Sequence, residues 1–213
     1  GDVVKFGVDP TGPVGGSLLA NLIQNPSLLE RVNQGREVGY IIIIVGLFGI
    51  GVALWKLFTL YNMGKAVKKQ SKSKSHDQNN PLGRVLAVGE EHMGKDIETL
   101  ELKLAEAIMA ERPAIERGIP VVKIISVVAP LAGLLGTVTG MIVTFQQITL
   151  FGTGDPKIMA GGISQALVTT VLGLVVAIPT TLLHSFANSS ARGIINVLEE
   201  QSTGIVAEHS DSK

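Results

Sequence analysis

The sequence predicts an all-α integral membrane protein with three transmembrane helices, N-terminus outside and C-terminus inside, and long cytoplasmic helical extensions. Three observations predict it. Residues 124–191 hold only two formally charged side chains, Asp155 and Lys157, which split the stretch into charge-free runs of 31 and 34 residues. Each run exceeds the ~20 residues that carry a helix across a bilayer core of about 30 Å. A further charge-free run of 18 residues, 38–55, continues past Lys56 to residue 63. Finally, only 17% of the 213 residues are charged and mean hydropathy is positive, whereas an ordinary soluble domain is roughly 25% charged.

The elements follow in chain order. The chain starts at Gly1, and the expectation is that a signal or longer N-terminal region once preceded it or was cut away. Residues 1–16, with five Gly and two Pro, read as a flexible lead-in and not as a complete signal peptide. Residues 17–32 carry Leu18, Leu19, Leu22, Ile23, Leu28, Leu29 and Val32 around Pro26, which suits an amphipathic helix on a membrane surface or a soluble one. Together residues 1–37 form a periplasmic N-terminal segment. The first span is 38–63, with Tyr40 at one interface, Trp55 and Tyr61 at the other, and Lys56 placed to snorkel to headgroups.

Lys65, Lys68, Lys69, Lys72 and Lys74 follow with no acid before Asp77, which makes this side cytoplasmic by the positive-inside rule. Residues 64–119 form a cytoplasmic helical region. Within it 71–80 are polar, turn-rich and expected to be poorly ordered, and 81–118 are expected to form an amphipathic helix from the 3–4 spacing of Ile97, Leu100, Leu104 and Ile108. Glu91, Glu98, Glu101, Glu106, Lys95 and Lys103 make its wet face, and Pro113 marks a break or kink. The second span is 120–149, a glycine-rich periplasmic turn occupies 150–162, the third span is 163–186, and 187–213 form a cytoplasmic C-terminal helix and tail.

The second and third spans carry stripes of small and hydroxylated residues. Ser126, Pro130, Gly133, Thr137, Gly140, Thr144 and Gln147 recur at alternating intervals of four and three, which places them on one helix face. Ala166, Thr170, Gly173, Ala177, Thr180 or Thr181, and His184 do the same, with Thr169 and Gln165 as further polar candidates. Gly136 with Gly140, and Gly173 with Ala177, are small-xxx-small pairs; with Gly133 and Ala166 they suit close helix packing. Two readings stand: the stripes only pack helices, or several subunits turn them toward a central polar path. Threonine hydroxyls donate and accept hydrogen bonds without carrying charge. Neither stripe contains Asp or Glu, so any ionisable proton carrier must come from another chain.

Zero formal net charge gives no global basic surface for nucleic acid. The absence of cysteine excludes disulfides and cysteine-based metal sites. No nucleophile–base pair, phosphate loop or metal-ligand cluster is visible, and His76, His92, His184 and His209 are far apart. An enzyme, a cofactor and a bound metal are therefore not expected.

The stretch APLAGLLGTVTGM at 129–141 resembles the second-span signature of the ExbB/TolQ/MotA proton-channel family, and GISQALVTTVLGLVVAIP at 162–179 resembles its third-span signature. Three spans favour the ExbB/TolQ branch, and the sequence looks closest to the ExbB proteins of TonB systems. The resemblance implies a homopentamer in the bacterial inner membrane, surrounding the transmembrane helices of an ExbD-like dimer whose membrane aspartate carries the proton. It implies work on a TonB-like protein for outer-membrane uptake of nutrients such as iron; a TolQ-like stator for envelope integrity, or a passive scaffold, are the competing readings. Thr137 and Thr170 match the family's two pore-facing threonines, which flank that aspartate, while Ser126, Thr144, Gln165, Thr169, Thr180 and Thr181 are further stripe candidates. Family members often carry a glutamate where this chain has Gln165, so a carboxylate role is lost there.

Overall fold

The computed structural model describes residues 28–73, 77–152 and 156–211, and among these every regular element is an α-helix. The glycine-rich lead-in and most of the expected surface helix lie outside the described residues. The elements are α1 (Leu28–Gln34), α2 (Arg36–Gln70), α3 (Pro81–His92), α4 (Ile97–Glu116), α5 (Ile119–Phe151) and α6 (Pro156–Asp211). Three of them, α2, α5 and α6, contain segments long and apolar enough to cross a membrane. At 1.5 Å per residue α2 is about 52 Å long and α6 about 84 Å, so both overshoot a hydrocarbon core of about 30 Å. The third span and the C-terminal helix, expected as separate segments, are one helix: residues 186–192 contain neither Pro nor Gly to interrupt it.

The three long helices meet through small residues. α5 and α6 run antiparallel, with Gly133 against Thr169 and Thr170, and Gly140 against Gly162 and Ala166. A Cβ on Gly133 would lie 2.9 Å from the Thr169 carbonyl oxygen, and one on Gly140 would lie 2.8 Å from that of Gly162. A Cβ on Gly136 would occupy the space of the Thr169 side chain itself. α2 lies alongside with its own stripe of Gly39, Ile42, Gly46, Gly49 and Ala53, all buried. Gly46 receives Val176 of α6, and Gly49 receives Ile125 of α5. The opposite faces stay apolar and exposed, as Phe48, Leu135 and Val175 illustrate.

Beyond the spans, a second core joins α3 and α4 to the ends of α2 and α6. Leu60, Leu82, Leu100, Leu104, Ile115 and Leu198 are almost wholly enclosed in it. Each such side chain contributes roughly 1.5–3 kcal/mol by leaving water. The region expected as one helix over 81–118 is two, because Met93–Asp96 form a turn and Asp96 caps α4: its carboxylate accepts from Thr99 N at 2.9 Å and Thr99 Oγ1 at 2.8 Å. Asn80 caps α3 the same way, accepting from Gly83 N at 2.8 Å while its amide donates to Asp77 O and to Gln70 Oε1. Segment 71–80, expected to be irregular, is thus tied down at its described end. Arg84 forks onto Glu111 with two 2.7 Å bonds, which join α3 to α4 and raise the Arg84 pKa further.

Lys56 departs from expectation. Its side chain does not reach for headgroups; it is 3% exposed, and Nζ donates to the Ala114 carbonyl at 3.1 Å. Ala114 lies in the last turn of α4, whose carbonyls lack helical partners, so α2 supplies a cationic cap to a helix end that carries partial negative charge. The helix passes through Pro113 and ends three residues later at Glu116. The chain then turns on Gly118, whose φ of 86° is a left-handed conformation natural to glycine, and Pro120 sits in the first turn of α5.

Gly136→Val forces a branched side chain into Thr169, and the expected cost exceeds about 3 kcal/mol, the upper end for overpacking. Gly161→Val, where a Cβ meets nothing within 4 Å, leaves the thermal midpoint of the detergent-solubilised protein nearly unchanged. Equal melting of the two variants counts against the seam. Asn80→Ala is expected to lower stability by about 1–2 kcal/mol through loss of the cap, read in the same melting experiment.

Candidate functional site

The hydroxyls of the two stripes fall into distinct settings. Thr144, Thr169 and Thr180 are buried between the helices of one chain, at 4%, 0% and 0% exposure. Each donates to a carbonyl of its own helix: Thr144 to Gly140 at 3.0 Å, Thr169 to Ala166 at 2.9 Å, Thr180 to Val176 at 2.8 Å. The methyl and hydroxyl of Thr169 fill the hollow over Gly136. Gly133, Gly136, Gly140, Ala166, Gly173 and Ala177 are buried with them. Ser126, Thr137 and Thr170 are only half-buried, and Thr181 is exposed.

Thr137 and Thr170 lie within one helical turn, about 5.4 Å, of each other along the α5–α6 seam. Gly133 packs on Thr170, Gly140 packs on Ala166, and Thr137 lies between those two glycines on the same helix. The Thr137 hydroxyl donates to the Leu134 carbonyl at 2.6 Å, a short bond. The Thr170 hydroxyl donates to Ala166 O at 3.4 Å, beyond the usual range and therefore weak. In both cases the hydroxyl proton is turned to the backbone and the oxygen keeps acceptor capacity. Ser126 donates to Lys123 O at 2.8 Å and Thr181 to Ala177 O at 2.7 Å. No side chain in 124–152 or 159–183 is ionisable.

Gln165 is 7% exposed and lines a pocket of about 350 Å³ at the end of the seam nearest α1, with Asn33, Gln34, Arg36, Gln147 and Ser164. Ser164 donates to Gln34 Oε1 at 2.7 Å. Arg36, with φ of 48°, is the one described non-glycine residue in the left-handed region. An asparagine, three glutamines and a guanidinium make the described lining of this mouth neutral to positive.

Two features escaped the sequence reading. The glycine stripe of α2 was visible in the spacing of Gly39, Gly46, Gly49 and Ala53. The joining of Asn33, Gln34 and Arg36 to Gln165 was not, because it depends on a contact across about 130 residues of chain.

The chain matches the MotA/TolQ/ExbB proton channel family over residues 77–200, which takes in both hydroxylated stripes. It is similar to an ExbB homolog of Methanothermobacter thermautotrophicus, a biopolymer transport protein, at 27% identity over 81% of this chain and 67% of the relative. An ExbB-like protein of Synechocystis is 29% identical over 74% of this chain and 69% of its own length. A shorter stretch, 27% of this chain and 39% of the relative, is 48% identical to the biopolymer transport protein ExbB of Aquifex aeolicus. A family match across more than half the chain, on a multi-pass scaffold of three apolar helices, makes this protein a member of the MotA/TolQ/ExbB proton channel family.

Proposed function

We propose that this chain is the stator subunit of a proton-driven machine of the bacterial inner membrane. Five copies surround the transmembrane helices of an ExbD-like dimer. Proton flow past them is converted into mechanical work on a TonB-like protein, and so into outer-membrane uptake of nutrients such as iron chelates. Family membership and the ExbB names of the relatives support this reading over a TolQ-like or purely scaffolding role. The lysines Lys65, Lys68, Lys69 and Lys72 support a cytoplasmic C-terminal end for α2, and hence an outer N-terminus.

The observation that carries the proposal is the pair of half-buried hydroxyls within about a turn of each other along a seam without ionisable groups. An aspartate on a partner helix is costly to ionise in lipid. Protonated, it donates its single O–H to a lone pair of Thr137 or of Thr170 and passes apolar surface. Ionised, it draws a hydroxyl away from the backbone, and a charge-assisted bond is roughly twice as strong as the neutral one it replaces. Thr170 holds its carbonyl at 3.4 Å against 2.6 Å for Thr137, so the Thr170 hydroxyl turns from the backbone to a new acceptor the more readily. Each charge crossing 100 mV supplies about 2.3 kcal/mol. Gln165 contributes hydrogen bonds at the outer mouth but exchanges no proton.

Thr170→Val and Thr137→Ala are expected to lower proton-driven uptake at least about tenfold, equivalent to ~1.4 kcal/mol, while native mass spectrometry finds the intact complex. Thr170→Ser keeps the hydroxyl and retains most uptake. Full uptake in both the valine and alanine variants would rule out the threonine role. Proton flux into liposomes only when the partner subunit is present separates a channel from a passive scaffold.

A further inference from the structure

Where α2 and α6 leave the apolar band they frame a groove of about 780 Å³. Its floor is apolar, with Leu57, Leu60 and Ile194, and Lys65 and Lys68 stand exposed on its rim. Two glycines keep it open. A Cβ on Gly193 would meet nothing within 4 Å, and one on Gly64 would meet only Ile194 at 4.0 Å. The Lys65 ammonium rests 4.2 Å from the centroid of the Tyr61 ring, which holds the charge at the rim. Among the described residues no carboxylate lines the groove, and the exposed Lys69 and Lys72 add to the positive field.

The two ends of the groove lie in different media. From Leu57 to Ser71 the lining extends about 21 Å along α2. Its lower end adjoins the lipid-facing side chains Trp55 and Phe58, 62% and 67% exposed. Its upper end is the lysine zone just past the span. A free anion would leave the leucine floor bare, and a soluble peptide would have to enter hydrocarbon. An amphiphile with acyl chains and a negative headgroup satisfies both ends, and basic pockets where helices leave the bilayer suit such headgroups.

We propose that this groove is a binding site for an anionic glycerophospholipid, whose acyl chains lie along Leu57 and Leu60 and whose phosphate lies between Lys65 and Lys68. The site is independent of the stator reading and stands or falls without it.

The test uses the full-chain assembly carrying Trp55→Phe and Tyr61→Trp, which moves the chain's one tryptophan onto the groove. Nanodiscs are doped with acyl-brominated phosphatidylglycerol or acyl-brominated phosphatidylcholine, and fluorescence quenching reports occupancy. Quenching is expected at about tenfold lower mole fraction of the anionic lipid, since each lysine near a membrane surface favours negative lipid. Lys65→Gln with Lys68→Gln abolishes the preference, Lys65→Arg with Lys68→Arg preserves it, and excess inorganic phosphate leaves it intact. Gly193→Leu, which fills the groove, reduces quenching by both lipids at unchanged assembly mass. Should Gly193→Leu misassemble, the lysine variants decide alone. Equal quenching by the two lipids, or competition by phosphate, overturns the proposal. So does quenching by neither lipid, which would make the groove a contact between copies of this chain.

Discussion

The close approach of two backbones, α5 and α6, sets the terms for everything else in this molecule. Where Gly133, Gly136 and Gly140 face Thr169, Thr170, Gly162 and Ala166, a single additional carbon on the glycine side meets backbone or a buried hydroxyl. Lipid supplies no hydrophobic drive between helices, so contact area and dispersion at short range must hold them together. That requirement explains why the most apolar part of the chain is also rich in glycine. It also explains why α2 repeats the device with Gly46 under Val176 and Gly49 under Ile125.

The same closeness sorts the threonines. A hydroxyl caught inside the seam must satisfy itself locally, and Thr144, Thr169 and Thr180 do so through carbonyls three or four residues back. A hydroxyl at the seam's edge is self-satisfied at rest but retains an acceptor and a rotatable proton, as in Thr137 and Thr170. One residue type thus serves packing and polar exchange in adjacent positions. The difference between Thr169 and Thr170 is a rotation of about 100° around the helix.

Much of the architecture was legible in the sequence, because charge depletion over long runs is enforced by the bilayer itself. Helix existence, the three spans and the small-residue faces follow from that constraint and from 3.6-residue periodicity. Element boundaries were less legible. The turn at Met93–Asp96 depends on Asp96 finding Thr99, a local cap that the apolar pattern of Leu100 and Leu104 does not announce. The continuity of α6 past residue 186 was masked by a change of composition that breaks no hydrogen bond. Within the stripes, spacing identified a face but could not divide it into seam and edge, because that division is set by how deeply a neighbouring helix presses in. Lys56 was legible as a charge at the end of a span, but its partner Ala114 lies 58 residues away and no local pattern points to it.

The ammonium that closes α4 comes from a helix made earlier on the ribosome. Synthesis runs from α2 to α4 to α6, at about 5–20 residues per second. When residues 97–116 emerge, Lys56 and the apolar ridge of Leu60 and Val67 already await them, and α6 arrives last to close both cores. The order of translation therefore lets Lys56 meet α4 as soon as α4 emerges, whereas the apolar faces of α2, α3, α4 and α5 all stay incompletely covered until α6 is made.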